Sequence, residues 1–131
     1  MILVDSCVWI DLLQGNTTPA VKRLKQIQEK KSPEICVSSI IFFEVLRGIS
    51  SDLDRKRVRG AFDLLEKRDY ENDGFDRLVE HSQLARDRGF SLKKLGDWLI
   101  FKTVLDHSLT LLTSDKDFFH LHKIIPFSLE S

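Results

Sequence analysis

MILVD, residues 1–5, is a short apolar run that ends in an acid, and SCVWIDLLQG, residues 6–15, follows it directly. A run that is apolar at every position suits a strand buried on both faces, as in a parallel sheet. The second stretch predicts a helix from about Ser6 to Gln14, with Gly15 at its end. The chain therefore begins with a buried strand that leads straight into a helix.

Other buried runs repeat this pattern along the chain. Further short strands are predicted at Ile35–Val37, at residues 109–113 (LTLLT) and at Ile124–Phe127. Residues 114–121, SDKDFFHL, predict only a turn or a single helical turn.

Helices fill the intervals between these strands. One helix is predicted to begin with Thr18 as N-cap and Pro19 at its first position, and to stop at Pro33. Ser38 or Ser39 is predicted to cap the next helix, Ile40–Arg47, which Gly48 closes. Asp52 opens a longer helix, Gly89 ends another, and residues 95–107 predict a largely apolar one. Their predicted apolar stripes are Val21, Leu24 and Ile27; Val58, Ala61, Phe62 and Leu65; and Phe75, Leu78, Val79, Ser82 and Ala85.

Alternation of buried strands and amphipathic helices predicts an α/β fold. We expect a three-layer sandwich, in which helices cover both faces of a central, mostly parallel sheet joined by right-handed crossovers. The 131 residues suit one domain, residues 1–131.

The amino-acid composition excludes several kinds of partner and site. Twenty basic and twenty acidic residues give a formal net charge of zero, which excludes a basic field over the whole protein. Cys7 and Cys36 lack metal-ligand spacing and are interpreted as small buried residues. There is no run of transmembrane length and no basic segment typical of a signal peptide, so we expect a cytoplasmic protein with no membrane partner.

Four acids occupy positions where open α/β sheets bind ligands, at strand ends or on apolar helix faces. Asp5 ends the first strand, and Asp115 follows the strand at residues 109–113. Glu44 and Asp97 lie on helices whose neighbouring residues are apolar. In a doubly wound fold all four can converge on one crevice.

Each acid also has a simpler interpretation. Asp5, Asp97 and Asp115 could cap the helices that they precede. Glu44 could pair with Arg47 or reach solvent at a helix end. Taken together, however, four unpaired carboxylates in one crevice would repel one another, and a hard divalent cation would relieve that repulsion. Mg²⁺ or Mn²⁺ suits an oxygen-only ligand set, and such a site indicates phosphate chemistry.

The histidines do not offer an alternative zinc site. His81 is expected on the polar face of its helix, and the other three lie near segment ends, where solvent exposure is expected: His107, His120 and His122.

Four segments in this order, MILVDSCVWIDLL, SSIIFFEVLRG, KLGDWLIFKTVL and LTLLTSDKDF, resemble the PIN-domain family, specifically the VapC-type toxins of bacterial toxin–antitoxin pairs. The resemblance covers essentially the whole chain. It implies a metal-dependent endoribonuclease whose products carry 5′-phosphate and 3′-hydroxyl ends.

Carried over by position, the resemblance gives a catalytic quartet of Asp5, Glu44, Asp97 and Asp115. It implies that Asp5 and Asp97 ligate Mg²⁺ directly, with Asp115 acting through water or a second ion. Glu44 would bind metal or position and deprotonate the attacking water.

Two hydroxyls and a further acid accompany the quartet. Ser6 follows the first acid, where family members carry Ser or Thr close by, and Cys7 stands at the next place. Thr113 matches a family hydroxyl that orients the fourth acid. Asp117 matches the second acid of that turn, and a solvated or capping role is expected for it rather than metal binding.

Basic residues near the predicted site are candidates to hold RNA. Lys93 and Lys94 precede the Asp97 helix and are expected to contact phosphates. The cluster Arg55, Lys56, Arg57 and Arg59 is more simply a solvated helix face.

The family also implies a small antitoxin that covers the site, and homodimers. Four apolar residues could form such a contact or be buried within the monomer: Trp9, Phe42, Phe43 and Leu46.

Three other classes remain to be separated. A haloacid-dehalogenase-type phosphatase carries a second Asp two residues after the first, where this chain has Cys7. A receiver domain needs an Asp at the end of its middle strand, where this chain has Ser38 and Ser39. A non-catalytic PIN-like binding module would keep four mutually repelling acids at a cost in stability.

Overall fold

The computed structural model describes residues 1–30 and 34–131. Within these residues, five short strands form one sheet: β1 Ile2–Val4, β2 Ile35–Val37, β3 Glu66–Lys67, β4 Thr110–Leu112 and β5 Ser128–Glu130. The helices of these residues are α1 Ser6–Leu13, α2 Pro19–Gln28, α3 Ser39–Arg47, α4 Asp52–Asp63, α5 Phe75–Asp87, α6 Leu95–Asp106 and α7 Lys116–Ile124. The predicted helix stop at Pro33 lies outside the described residues.

All strand pairs are parallel, in the order β3-β2-β1-β4-β5. The chain steps outward from β1 to β2 and β3, then returns to the other side of β1 with β4 and β5. Right-handed crossovers put the connections on opposite faces of the sheet for these two directions. The predicted α/β sandwich is confirmed, and the strand order reverses between β1 and β4, which is where such sheets form a ligand crevice.

The core lies against the central strands. Leu3 and Val4 of β1 and Leu111 and Leu112 of β4 are fully buried. On the helices, α1 packs against α2 and α3, α3 also contacts α4 and α6, and α5 contacts α7. The predicted stripe of α2 is buried as expected: Val21, Leu24 and Ile27.

Two predicted stripes are wrong in part, because their helices lie at the rim of the molecule. On α4 only Phe62 is buried, while Ala61 is exposed and Val58 and Leu65 are half-buried. On α5 only Ala85 is buried, and the exposed or half-buried members of its stripe are Phe75, Leu78, Val79 and Ser82.

The C-terminal prediction is also wrong. Residues 116–124 form a full helix, α7, in place of the predicted turn, because Phe118 and Leu121 give it a buried face. The last strand is Ser128–Glu130 and not Ile124–Phe127. Pro126 has no N–H for a sheet, so pairing with β4 begins only after it.

Strand β3 has no counterpart in the prediction, since its two exposed, charged residues carry no apolar pattern.

Lys102 of α6 connects two segments of the chain, and it is charged although only 3% exposed. Its Nζ donates to Asp106 Oδ2 at 2.7 Å and to the Glu71 carbonyl at 2.8 Å. This ion pair, buried at Lys102 and 20% exposed at the Asp106 side chain, fastens the segment that leads into α5 to the end of α6. None of the helices in the described part of the chain is both long and apolar enough to cross a bilayer.

Candidate functional site

A cavity of about 440 Å³ lies where the sheet order reverses. Its lining contains three of the four predicted acids, together with the second acid of the turn after β4. The lining residues are Ser6, Cys7, Ile10, Glu44, Arg47, Lys93, Lys94, Asp97, Asp115 and Asp117. The fourth predicted acid, Asp5, is buried directly beside Ser6 and Cys7. The fold thus brings together residues that are more than 100 positions apart in the chain.

Asp5 is fixed by the ends of the two central strands. Its backbone N–H donates to the Leu112 carbonyl at 2.9 Å, which joins the end of β1 to the end of β4. Its Oδ1 accepts from the Ser6 N–H at 2.8 Å, so it is also the N-cap of α1. The capping interpretation of Asp5 is therefore confirmed, and the same carboxyl group lies beside the cavity. The side chain is 4% exposed, and burial raises its pKa against the opposing effect of its hydrogen bonds.

Thr113 connects the first acid to the fourth. Its fully buried hydroxyl donates to Asp5 Oδ2 at 2.7 Å and accepts from the Asp115 N–H at 3.0 Å. Asp115 in turn caps α7, because its Oδ1 accepts from the Asp117 N–H at 2.9 Å. One hydroxyl therefore links the Asp5 carboxylate to the backbone of Asp115.

Glu44 enters the cavity from α3. Its Oε1 is buried without a hydrogen-bond partner. Burial and the nearby Asp5 raise its pKa, while Lys94 and Arg47 oppose this rise. Neither Glu44 nor the other three acids forms an ion pair within residues 1–30 and 34–131.

Asp97 lies in the first turn of α6, at the third helical position. Lys94 is the N-cap, so the capping alternative for Asp97 is wrong. Burial raises the pKa of Asp97 to about 6, with further upward contributions from the charges of Asp5, Asp115 and Glu44. The charges of all three other acids of the quartet therefore act on the Asp97 carboxyl group.

These carboxylates share a cavity without forming a closed cage. In the described ranges no three His, Cys, Asp or Glu side chains lie close enough together to make a ready-formed metal cluster. The arrangement is a patch of oxygen donors around an open space.

A family model for the PIN domain matches residues 2–124. The chain belongs to the PIN-domain family. This membership agrees with the predicted resemblance and removes the phosphatase and receiver-domain alternatives. No curated protein sequence matches the chain significantly.

Solved structures similar in fold to this PIN domain include proteins of toxin–antitoxin systems. A toxin–antitoxin complex from Klebsiella pneumoniae has a TM-score of 0.72 at 23% identity, covering 100% of this chain and 97% of that chain. VapBC2 from Rickettsia felis, bound to a fragment of promoter DNA, has a TM-score of 0.75 at 18% identity, covering 99% and 98%. Mycobacterium tuberculosis VapC20, a toxin that cleaves the sarcin-ricin loop, has a TM-score of 0.62 at 18% identity, covering 92% and 94%.

Positive charge borders the acids of this PIN domain from two elements. Lys93 and Lys94 approach from the segment before α6, as their place in the sequence suggested. Arg47 approaches from the end of α3. In the sequence, Arg47 was evident only as a possible partner for Glu44, and its place at the cavity was missed. Its spacing of three residues from Glu44 on one helix was the available signal.

Cys7 differs from its predicted place in an apolar core. Its Sγ lies 3.6 Å from Asp5 Oδ2 and 3.5 Å from Thr113 Oγ1, and it accepts from the Ser114 hydroxyl at 3.4 Å. Burial followed by the Asp5 charge raises its thiol pKa, so the thiol stays protonated and acts as a weak donor. Ser6, the predicted hydroxyl, lines the cavity next to it.

Proposed function

We propose that this PIN domain is a metal-dependent endoribonuclease, and that it is the toxin of a toxin–antitoxin pair. The observation that carries the proposal is the meeting of Asp5, Glu44, Asp97 and Asp115 around one cavity, none of them neutralised by a basic partner in the described residues. One relative in fold, M. tuberculosis VapC20, is an RNA-cleaving toxin, which supports the reaction class.

The donor set suits a hard divalent cation. Three or four carboxylates with no histidine are the oxygen ligands that Mg²⁺ and Mn²⁺ prefer. The buried, unpartnered Oε1 of Glu44 is an acceptor that lacks a positive partner. Asp5 and Asp97 would hold Mg²⁺, with Asp115 beside them. When bound there, the ion would supply Lewis-acid chemistry by neutralising phosphate charge and acidifying a water molecule.

The side chains of the cavity divide the remaining work. Glu44 lines the cavity and would accept a proton from the attacking water, and its raised pKa makes it a stronger base than an exposed glutamate. Thr113 holds the Asp5 carboxylate against the backbone of Asp115. Lys93 and Lys94 would bind RNA phosphates at the rim.

Cleavage of a labelled RNA tests the reaction. We expect cleavage with Mg²⁺ or Mn²⁺, loss of cleavage with a chelator, and a fall of at least about 100-fold in Asp5→Asn and Asp97→Asn, the scale of losing a principal electrostatic group. The products should carry 5′-phosphate and 3′-hydroxyl ends.

Asp63→Asn is the matched control, because Asp63 is an exposed acid at the end of α4, outside the cavity. It should cut at the parent rate. Cleavage at the parent rate by Asp97→Asn would show that the acids are not catalytic. Metal-independent RNA binding without cleavage would identify a non-catalytic PIN module instead.

The proposal that this chain is a toxin also predicts its protein partner, its oligomeric state and its location. A small antitoxin encoded next to this chain should co-purify with it and suppress cleavage, and the free toxin should be a homodimer by light scattering. An RNA-cleaving toxin with two free thiols, Cys7 and Cys36, belongs in the reducing cytoplasm. Failure of the adjacent gene product to bind would remove the toxin–antitoxin assignment and leave the nuclease assignment standing.

A further inference from the structure

Phe43 stands out on α3 because its ring is 60% exposed, although it lies beside the acid cavity. The preceding residue, Phe42, turns inward and packs on Phe62 with 5.9 Å between ring centroids. Trp9 is buried and contacts the same ring. The apolar residues that the sequence grouped as a possible contact surface thus separate, and Phe43 alone among the aromatic ones lies open to solvent.

Arg47 joins this ring to the cavity. Its guanidinium carbon lies 5.6 Å from the centroid of the Phe43 ring, and its side chain lines the cavity. Arg47 forms no ion pair within residues 1–30 and 34–131. Its charge nevertheless lowers the pKa of Glu44. The guanidinium is therefore available to an incoming anion.

We propose that Phe43 and Arg47 form a docking platform for single-stranded RNA, beside the bond that is cut. The inference rests on the proposed ribonuclease function and deepens it. Arg47 contacts a backbone phosphate, and an unstacked base lies on the Phe43 ring, since aromatic and guanidinium planes are the usual stacking surfaces for splayed bases.

Charge complementarity favours RNA over a protein as the occupant of this platform. Arg47 lines the same cavity as Lys93 and Lys94, but it comes from α3 rather than from the segment before α6. A phosphate backbone that enters the cavity meets positive groups from two elements, and they offset its repulsion by the carboxylates. A base paired within a duplex has no free face for Phe43, so the platform selects single strands.

Anisotropy titrations with a short fluorescent RNA test the platform. The parent is the Asp97→Asn chain, which the proposed function expects to bind RNA with cleavage reduced at least about 100-fold, and the same RNA annealed to its complement is the second probe. We expect Phe43→Ala to weaken single-strand binding about tenfold and to leave duplex binding unchanged. Arg47→Gln should weaken binding to both probes and lower the slope of log affinity against log salt by about one.

Two controls match these variants. Leu64→Ala removes a side chain that is 88% exposed, and Arg59→Gln removes an exposed charge, both on the α4 side and outside the cavity. Neither should change RNA binding. Thermal unfolding of Phe43→Ala should match the parent, because the ring is largely exposed.

The outcomes separate the two proposals. If the wild-type chain neither binds nor cuts RNA, the ribonuclease proposal fails and the platform with it. If the wild-type chain cuts RNA and Phe43→Ala binds single strands like the parent, only the platform fails. Dissociation of a dimer or loss of antitoxin binding by Phe43→Ala, with RNA affinity unchanged, would assign the ring to a protein interface and overturn the inference.

Discussion

Asp97 shows how position changes the acidity of one carboxyl group. Its place in the first turn of α6 would favour its ionised form, because a helix N-terminus attracts negative charge. Burial and three neighbouring acids outweigh that attraction and raise its pKa to about 6. Near pH 7 the folded state therefore holds an unfavourable charge, which Lys94 relieves only in part.

Replacing Asp97 with Asn should stabilise the metal-free protein. Since the folded pKa lies above the unfolded value of 3.8, the folded state binds the proton more tightly. The contribution of Asp97 is therefore destabilising at pH 7 and disappears as the pH falls through 6 toward 4. We expect Asp97→Asn to raise the free energy of unfolding by about 1–2 kcal/mol at pH 7, after allowance for partial exposure.

Urea denaturation in chelator at pH 7 and at pH 4 measures this difference. The gain in Asp97→Asn should shrink toward zero at the lower pH, while Asp63→Asn serves as the exposed control at both values. A gain that is equal at pH 7 and pH 4 would mean that the repulsion is not its source.

His81 is another residue whose surroundings differ from the prediction. It lies partly buried, with its ring in an edge-to-face contact with Phe101 and 5.7 Å between centroids. Desolvation, followed by the charge of Arg77, lowers its pKa. The prediction of a polar face for His81 is wrong because α6 covers that side of α5.

Capping explains why the helices begin where the sequence indicates. Thr18 accepts from the Val21 N–H at 3.1 Å, with Pro19 at the first position of α2, as predicted. Of the two serines considered for α3, Ser38 is the cap, accepting from the Ile41 N–H at 3.3 Å. Ser39 is the first residue of that helix, and both its N–H and its hydroxyl donate to Asp69.

The Ser38 cap should matter more than an exposed cap of the same type. Ser38 is 1% exposed, so Ser38→Ala leaves the Ile41 N–H buried without a partner. We expect a loss of about 1–2 kcal/mol in the free energy of unfolding. Ser51→Ala removes the exposed cap of α4, where water can replace the hydroxyl, and should cost about 0.5 kcal/mol. Equal losses in the two variants by chemical denaturation would contradict this ranking.

At the scale of the whole molecule, the sheet order is what assembles the site. β1 and β4 are neighbours although more than 100 residues separate them, and the acids that follow them are joined through Thr113. Helices α3 and α6 are in contact, and they deliver Glu44 and Asp97 to the same cavity. Four elements therefore contribute one carboxylate each.

A cation that binds these acids should stabilise the entire fold, because it ties distant elements together. At about 100 times its dissociation constant, Mg²⁺ would add about 2.7 kcal/mol, which corresponds to a rise of about 10 °C in Tm for a chain of this size. Asp5→Asn and Asp97→Asn should lose most of that rise in thermal unfolding, and Asp63→Asn should keep it. A rise of the same size in Asp97→Asn would show that Mg²⁺ binds elsewhere.

The sequence by itself determined the α/β class and the three central strands, because hydrophobic periodicity and capping residues act over a few neighbouring positions. It misplaced the end of the chain at residues 114–127 and gave no sign of β3, where pairing with a distant strand outweighs local preference. Only the tertiary structure decided which side chains share the cavity, including Arg47 and Cys7. It also decided the acidity of Asp97, since burial and charge–charge repulsion depend on distances in space rather than along the chain.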